Sequence, residues 1–152
     1  MRAAVCAALV ALAACGSDSA SGDVAEIVVD GIAVRDAWTR PTPATASEAA
    51  IYLEIENVDA PGDELLGGRS ENCVTVRAHR TTVDDNGVAR MSEAAEGELE
   101  IAAGGSLVLA PNGLHLMCTG LSAPFDEGDT AEVTLVFLHH DPVTVPVAVE
   151  QR

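Results

Sequence analysis

Apolar and polar residues alternate along this chain with a period close to two almost everywhere, and sustained helical periods are missing. Ile51, Leu53 and Ile55 fall on one side of one segment, and Val143, Val145, Val147 and Val149 on one side of another. The pattern predicts strands over 26–29, 32–38, 50–57, 72–81, 88–92, 99–101, 106–109, 114–119, 131–139 and 143–149. Turn-forming residues separate them at Pro41 and Pro43, Pro61-Gly62, Gly67-Gly68, Asn86-Gly87, Gly104-Gly105, Pro111-Asn112-Gly113 and Asp141-Pro142. Short strands with one apolar face each, punctuated this often, predict an all-β fold in which two sheets pack face to face as a β-sandwich.

Within that pattern one segment stands out. Leu114-His115-Leu116-Met117-Cys118 alternates so that His115 and Met117 share a face while both leucines and Cys118 take the other. If the leucines are buried, the imidazole and the thioether point outward together. Residues 73–79 alternate in the same way, with Val74, Val76 and Ala78 inward and His79 outward. Beyond His79 comes the turn Asp84-Asp85-Asn86-Gly87, and then Met91. The chain has only three methionines, one of them Met1, so methionine is not general core filler here. Two imidazoles and two thioethers, His79, Met91, His115 and Met117, thus arise from two β segments. Soft sulfur with imidazole favours Cu(I) over harder divalent ions. Thioethers also need no deprotonation and form no disulfides, which suits an oxidising compartment. A neutral set of this kind holds an ion while leaving it open to ligand exchange, the behaviour of a carrier.

Length and charge narrow the picture. A chain of 152 residues is one domain in size, and 48% hydrophobic content is enough for a core. Its 24 acidic residues outweigh 8 basic ones, all of them arginine, for a formal charge of −16. That field disfavours nucleic acid and anionic lipid surfaces. No Gly-x-Ser-x-Gly, His-Glu-x-x-His, phosphate loop or haem-attachment motif is present, so catalysis is not expected.

Residues 1–14 carry an early arginine, an apolar run too short to span a bilayer and then small residues, the layout of a secretory signal. Leu12-Ala13-Ala14-Cys15 resembles a bacterial lipobox, implying cleavage before Cys15 and lipid on its thiol. Residues 15–25 read as a flexible polar tether, and 26–152 as the domain. Acyl chains contributing about 0.8 kcal/mol per buried methylene would anchor the mature protein at the cell envelope, periplasmic or extracellular. Cys6 leaves with the signal, so the domain keeps Cys73 and Cys118. Outside the cytoplasm a disulfide between them is the expectation. Strand parity opposes it, placing Cys73 on the His79 face, unless a bulge or strand edge intervenes.

The spacing of the four donors resembles that of the PCuAC family of periplasmic copper chaperones: a His, a Met some ten residues on, and a His-x-Met about twenty residues later. Here eleven residues separate His79 from Met91, and twenty-three more precede His115-Leu116-Met117. Asp36-Ala37-Trp38-Thr39-Arg40 with Pro41 and Pro43, Ala50-Ile51-Tyr52-Leu53 with Asn57, Ala103-Gly104-Gly105, and Pro111-Asn112-Gly113-Leu114-His115 also look like landmarks of that family. The resemblance implies a cupredoxin-like (Greek-key) β-sandwich that binds Cu(I) and helps supply the dinuclear copper A centre of cytochrome c oxidase. Its expected partner is then a copper-accepting extracytoplasmic protein, either oxidase subunit II or an assembly factor, and the chain is expected to act as a monomer. Many members carry a Met directly after the first His, where this chain has Arg80. The first gap is also longer by about one residue. A two-residue turn at Asn86-Gly87 would set Met91 opposite Thr82, roughly 10 Å along the strand from His79. A three- or five-residue loop centred on Asp85 would set it opposite His79, and this arrangement is the one expected.

Other readings compete. The same chain without metal could serve as a cell-envelope interaction module, or the site could sequester copper without delivering it. His139 and His140 are adjacent before Asp141-Pro142, so their side chains diverge, and they read as a solvated turn. Cys118 points away from His115 and Met117. Trp38 and Tyr52, scarce aromatics in this chain, read as core anchors.

Overall fold

The computed structural model describes residues 26–152. The leader expected at 1–14 and the tether expected at 15–25, with lipid expected on Cys15, lie outside the described residues. Eleven strands follow in order: β1 (Ile27–Val29), β2 (Ile32–Thr39), β3 (Glu48–Asn57), β4 (Asp63–Arg69), β5 (Thr75–Val83), β6 (Ala89–Glu93), β7 (Glu100–Ile101), β8 (Ser106–Leu109), β9 (Leu114–Thr119), β10 (Thr130–Phe137) and β11 (Val143–Val149). Nine of them run in the order β1-β2-β11-β10-β4-β5-β9-β3-β8, with β6 paired to β5 and β7 to β4, and a β2–β3 pairing closes the sheet on itself into a seven-stranded barrel-like sandwich. Non-consecutive neighbours make the crossovers of a Greek-key, cupredoxin-like β fold. Every pairing is antiparallel except β11 with β2.

Alternation gives the inner faces their content. Ile51, Leu53 and Ile55 of β3, Leu114, Leu116 and Cys118 of β9, Val133 and Leu135 of β10, and Val143, Val145, Val147 and Val149 of β11 all join the main core. Tertiary packing corrects three expectations. The strand β4 was not expected, because Gly67 and Gly68 read as a turn. Both glycines instead lie within a strand, and a Cβ on Gly68 would approach Thr134 O, Val133 and Val76 within 3.1–3.2 Å. They permit close approach of neighbouring backbones. Next, β5 begins at Thr75, so Val74 is off the ladder and 81% exposed where it was expected inward.

The third correction concerns β2. Its pairing with β3 shifts by one residue between Arg35 and Trp38, with Asp36 at φ 53°. This bulge reverses the parity of the strand. Val34 faces the main core opposite Ile55, yet Trp38 lies outside it, opposite Tyr52. Trp38 and Tyr52 are buried as expected, but in a small separate cluster with Ala148 and Ala50 on the outer face.

Cys73 lies in the turn before β5, its N–H donating to Ser70 O, so strand alternation does not govern it. Its sulfur is bonded to that of Cys118, with Cα atoms 5.5 Å apart.

Candidate metal centre

On the outer face, β5 and β9 run antiparallel with His79 opposite His115 and Arg77 opposite Met117. Directly opposed residues share a face, so all four of these side chains emerge together. Beyond β9, Ala50 of β3 stands opposite Met117. The β8–β9 segment explains why His115 is placed as it is. Both strands pair with the same edge of β3, β8 along 53–56 and β9 along 48–51, so they are two halves of one interrupted strand. Between them residues 110–113 make a turn: Gly113 N–H donates to Ala110 O, Pro111 precedes Asn112, and Asn112 has φ 61°, the requirement of a type II turn. His115 follows immediately.

His115 is 4% exposed, held against Tyr52 with ring centroids 6.2 Å apart. Its Nδ1 lies 3.1 Å from Gly113 O. A carbonyl only accepts, so Nδ1 carries the proton. Burial lowers the pKa of this imidazole below its usual value, Gly113 O opposes that in part, and the neighbouring His79 lowers it further. The ring is therefore neutral and its Nε2 bears a lone pair. That lone pair faces Met91 Sδ at 3.2 Å, another atom with no proton to give. Two electron-pair donors are thus aimed at one place. His79 brings a second nitrogen nearby: its ring meets that of His115 edge-on with centroids 6.2 Å apart, and its Nδ1 is buried without a hydrogen-bond partner. Met117, 9% exposed, lies two residues along β9 from His115 on the same face of the sheet.

The structure corrects two expectations about these donors. His115 and Met117 do share a face, but that face is covered, not open to solvent: Tyr52 and its neighbours shield it. The hairpin geometry is also different. Asp84 N–H donates to Val88 O and Gly87 N–H to Asp84 O, with Gly87 at φ 78°, giving a three-residue loop of 85–87. Its centre is Asn86, one residue beyond the expected Asp85, so Met91 stands opposite Thr81 and Glu93 opposite His79. Met91 still shares the His79 face, and its sulfur reaches across to His115.

Several residues around the donors escaped the sequence. Arg77 and Glu93 form an exposed ion pair at 3.0 Å beside the site, Tyr52 forms a wall, and Gly113 O fixes the imidazole. Only Tyr52 carried a signal, since it falls on the outer parity of β3 with Ala50.

His139 and His140 lie elsewhere. Their backbone N–H groups and the His140 ring Nδ1 all point at the carboxylate of Asp63, at 3.0, 2.9 and 2.8 Å, and Nε2 of His140 lies 3.2 Å from Asp30 O. His139 is exposed, as a solvated turn predicts, but the half-buried His140 is tied to the buried carboxylate of Asp63, which the sequence did not suggest. Among the described residues no three His, Cys, Asp or Glu side chains are placed to hold a metal ion. The closest approach of soft donors, His115 Nε2 to Met91 Sδ, includes sulfur and so falls outside such groups.

Comparison with known proteins bears on the family and the fold. A family model described as "Putative lipoprotein LpqE-like" matches residues 32–149. "Putative lipoprotein Lxx21020" of Leifsonia xyli is 37% identical over 120 residues, covering 79% of this chain and 69% of that protein. Among solved structures, a copper-bound PCuAC domain from PmoF2 superposes with a TM-score of 0.67 at 25% identity, over 84% of this chain and 99% of that one. The Cu(I) form of DR1885 from Deinococcus radiodurans shares the fold, with a TM-score of 0.56 at 24% identity over 76% of each chain. The chain therefore belongs to the LpqE-like lipoprotein family, and its domain is of the PCuAC type.

Proposed function

We propose that this domain carries one Cu(I) ion on His79, Met91, His115 and Met117 and passes it to a copper-accepting protein outside the cytoplasm. The observation that supports it most is the opposition of His115 Nε2 and Met91 Sδ at 3.2 Å, two unprotonated donors with nothing between them to share. Metal bonds to nitrogen and sulfur are roughly 2.0 and 2.3 Å long, so atoms this close can bind one ion together. Thioether and neutral imidazole select a soft monovalent cation. The copper-bound PmoF2 domain, similar over nearly its whole length, supports the same cargo.

Such a site suits transfer. Met91 is 48% exposed on β6, a strand that pairs only with β5, while His115 and Met117 are buried behind it. Exchange begins at the exposed sulfur: an acceptor offering thiolate displaces Met91 first and then draws the ion away from the inner donors. The dinuclear copper A centre of cytochrome c oxidase, in subunit II or presented by an assembly factor, is the destination that this reading implies. Lipid on Cys15, consistent with the lipoprotein relative, would hold the domain at the envelope surface where that acceptor works.

Titration of the protein with Cu(I) against a competing chromogenic chelator tests the reading. One equivalent should bind, and His115→Ala should abolish tight binding. A His115→Ala protein that competes as well as the original would refute it. Delivery is then read by mixing the loaded protein with an apo copper A domain and following that centre's colour.

A further inference from the structure

We propose that Met91 is an oxidation site, and that its sulfoxide closes the metal centre. Four sulfur atoms occur among the described residues. Two are consumed in the Cys73–Cys118 disulfide, whose Cys118 is fully buried. Met117 is 9% exposed, whereas Met91 is 48% exposed on the outermost strand of the hairpin. A small peroxide reaching the folded domain therefore meets the Met91 side chain before that of Met117. Trp38, the other group sensitive to oxidants, is 6% exposed.

The chemistry is a single oxygen transfer. The Met91 sulfur lone pair attacks one oxygen of hydrogen peroxide, the O–O bond breaks, and the departing oxygen leaves as water: R–S–CH3 + H2O2 → R–S(=O)–CH3 + H2O. Sulfur is oxidised and peroxide reduced, with no further reactant. The product replaces a soft thioether with a polar, hard oxygen beside the Nε2 of His115, which lies 3.2 Å from the sulfur. A Cu(I) site loses one of its two sulfurs. Met91 being exposed, a methionine sulfoxide reductase can reach it and return it to the thioether, so closure is reversible. The site would thus shut to Cu(I) under peroxide, the condition in which redox cycling of copper is most harmful. The effect on metal rests on the Cu(I) reading; the selectivity of oxidation does not.

The test exposes the metal-free protein to dilute hydrogen peroxide and maps the oxygen by peptide mass spectrometry. In the folded protein the Met91 peptide should gain one oxygen several-fold faster than the Met117 peptide, and in guanidinium the two should react alike. Cu(I) affinity, measured by chelator competition, should fall at least about tenfold on oxidation, on the scale by which even indirect partners of a metal tune affinity. Treatment with methionine sulfoxide reductases should restore it, which separates closure from unfolding. Equal oxidation of Met91 and Met117 in the folded state overturns the site assignment. Oxidised protein that binds Cu(I) as tightly as reduced protein overturns the closure alone, and reduced protein that binds no Cu(I) overturns the metal reading itself.

Discussion

Met91 stands opposite Thr81 across the β5–β6 hairpin, two positions from His79, and its sulfur rests 3.2 Å from the ring of His115. One donor is thus borne by an arm of the sheet and the others by its wall, and this division separates the consequences of losing each.

Truncation of the two methionines should weaken Cu(I) binding alike but stability unequally. Met91→Ala removes a half-exposed side chain and should change unfolding free energy by less than about 1 kcal/mol. Met117→Ala empties a site that is 9% exposed and should cost about 2 kcal/mol or more. Urea unfolding and chelator competition on both variants check this. A Met117→Ala protein with undiminished Cu(I) affinity would remove that sulfur from the set.

The imidazole of His115 should titrate below the usual histidine range near 6.5, because burial disfavours its charged form. The unfolded chain then takes up a proton at a pH where the folded chain does not. Stability from this group is complete above the unfolded value and is lost as pH falls from there through the lowered folded one. This nitrogen stays available to Cu(I) into mildly acidic solution and is lost only lower down. A proton NMR titration of the ring in the metal-free protein measures it, and a midpoint at or above 6.5 would contradict the burial argument.

Asp63 should be worth more to stability than any exposed acid in the chain. Burial alone would raise its pKa, but backbone N–H groups of Glu64, His140 and His139, with the His140 ring, more than offset that and hold it below the usual carboxylate value. A depressed carboxylate stabilises the fold above its unfolded pKa, and that contribution disappears as pH falls through the folded value. Asp63→Ala strands the donors around it and should cost about 3 kcal/mol in denaturant titrations while leaving Cu(I) affinity intact once folded. A neutral outcome would mean that this carboxylate is solvated.

The Cys73–Cys118 bond closes a loop with a sequence separation of 45, for which the chain-entropy estimate is roughly 4 kcal/mol. Reduction, or a paired Cys73→Ser, Cys118→Ser variant, should lower the unfolding midpoint by a corresponding amount. Because Cys118 faces the core with Leu114 and Leu116, protein that remains folded after reduction should bind one Cu(I) as before. Two equivalents bound after reduction would show the thiols competing for the ion.

Alternation alone was enough to place His115 with Met117 and to separate both from Cys118, since a strand offers a side chain only two directions. Spacing then brought in His79 and Met91. Four features lay beyond that rule. The bulge at Asp36 turns Trp38 outward, and a one-residue shift in a strand leaves no mark on composition. The glycines of β4 allow neighbouring backbones to come close, a tertiary need that resembles a turn in one dimension. The centre of the β5–β6 loop moved from Asp85 to Asn86 because Asp84 Oδ1 captures the N–H groups of both Asn86 and Val88. Burial of His115 on the outer face, finally, depends on Tyr52 of β3 and Met91 of β6 both meeting its ring, which no local pattern encodes.

The carbonyl of Gly113 accepts from the N–H of Thr81 on one side and from the ring of His115 on the other, at 3.0 and 3.1 Å. Both of its lone pairs are engaged. Thr81 is the residue facing Met91, so a single oxygen atom links the arm that bears the outer sulfur to the nitrogen waiting beneath it. In the transfer proposed above, a partner that draws β6 aside would also disturb the oxygen that orients the imidazole.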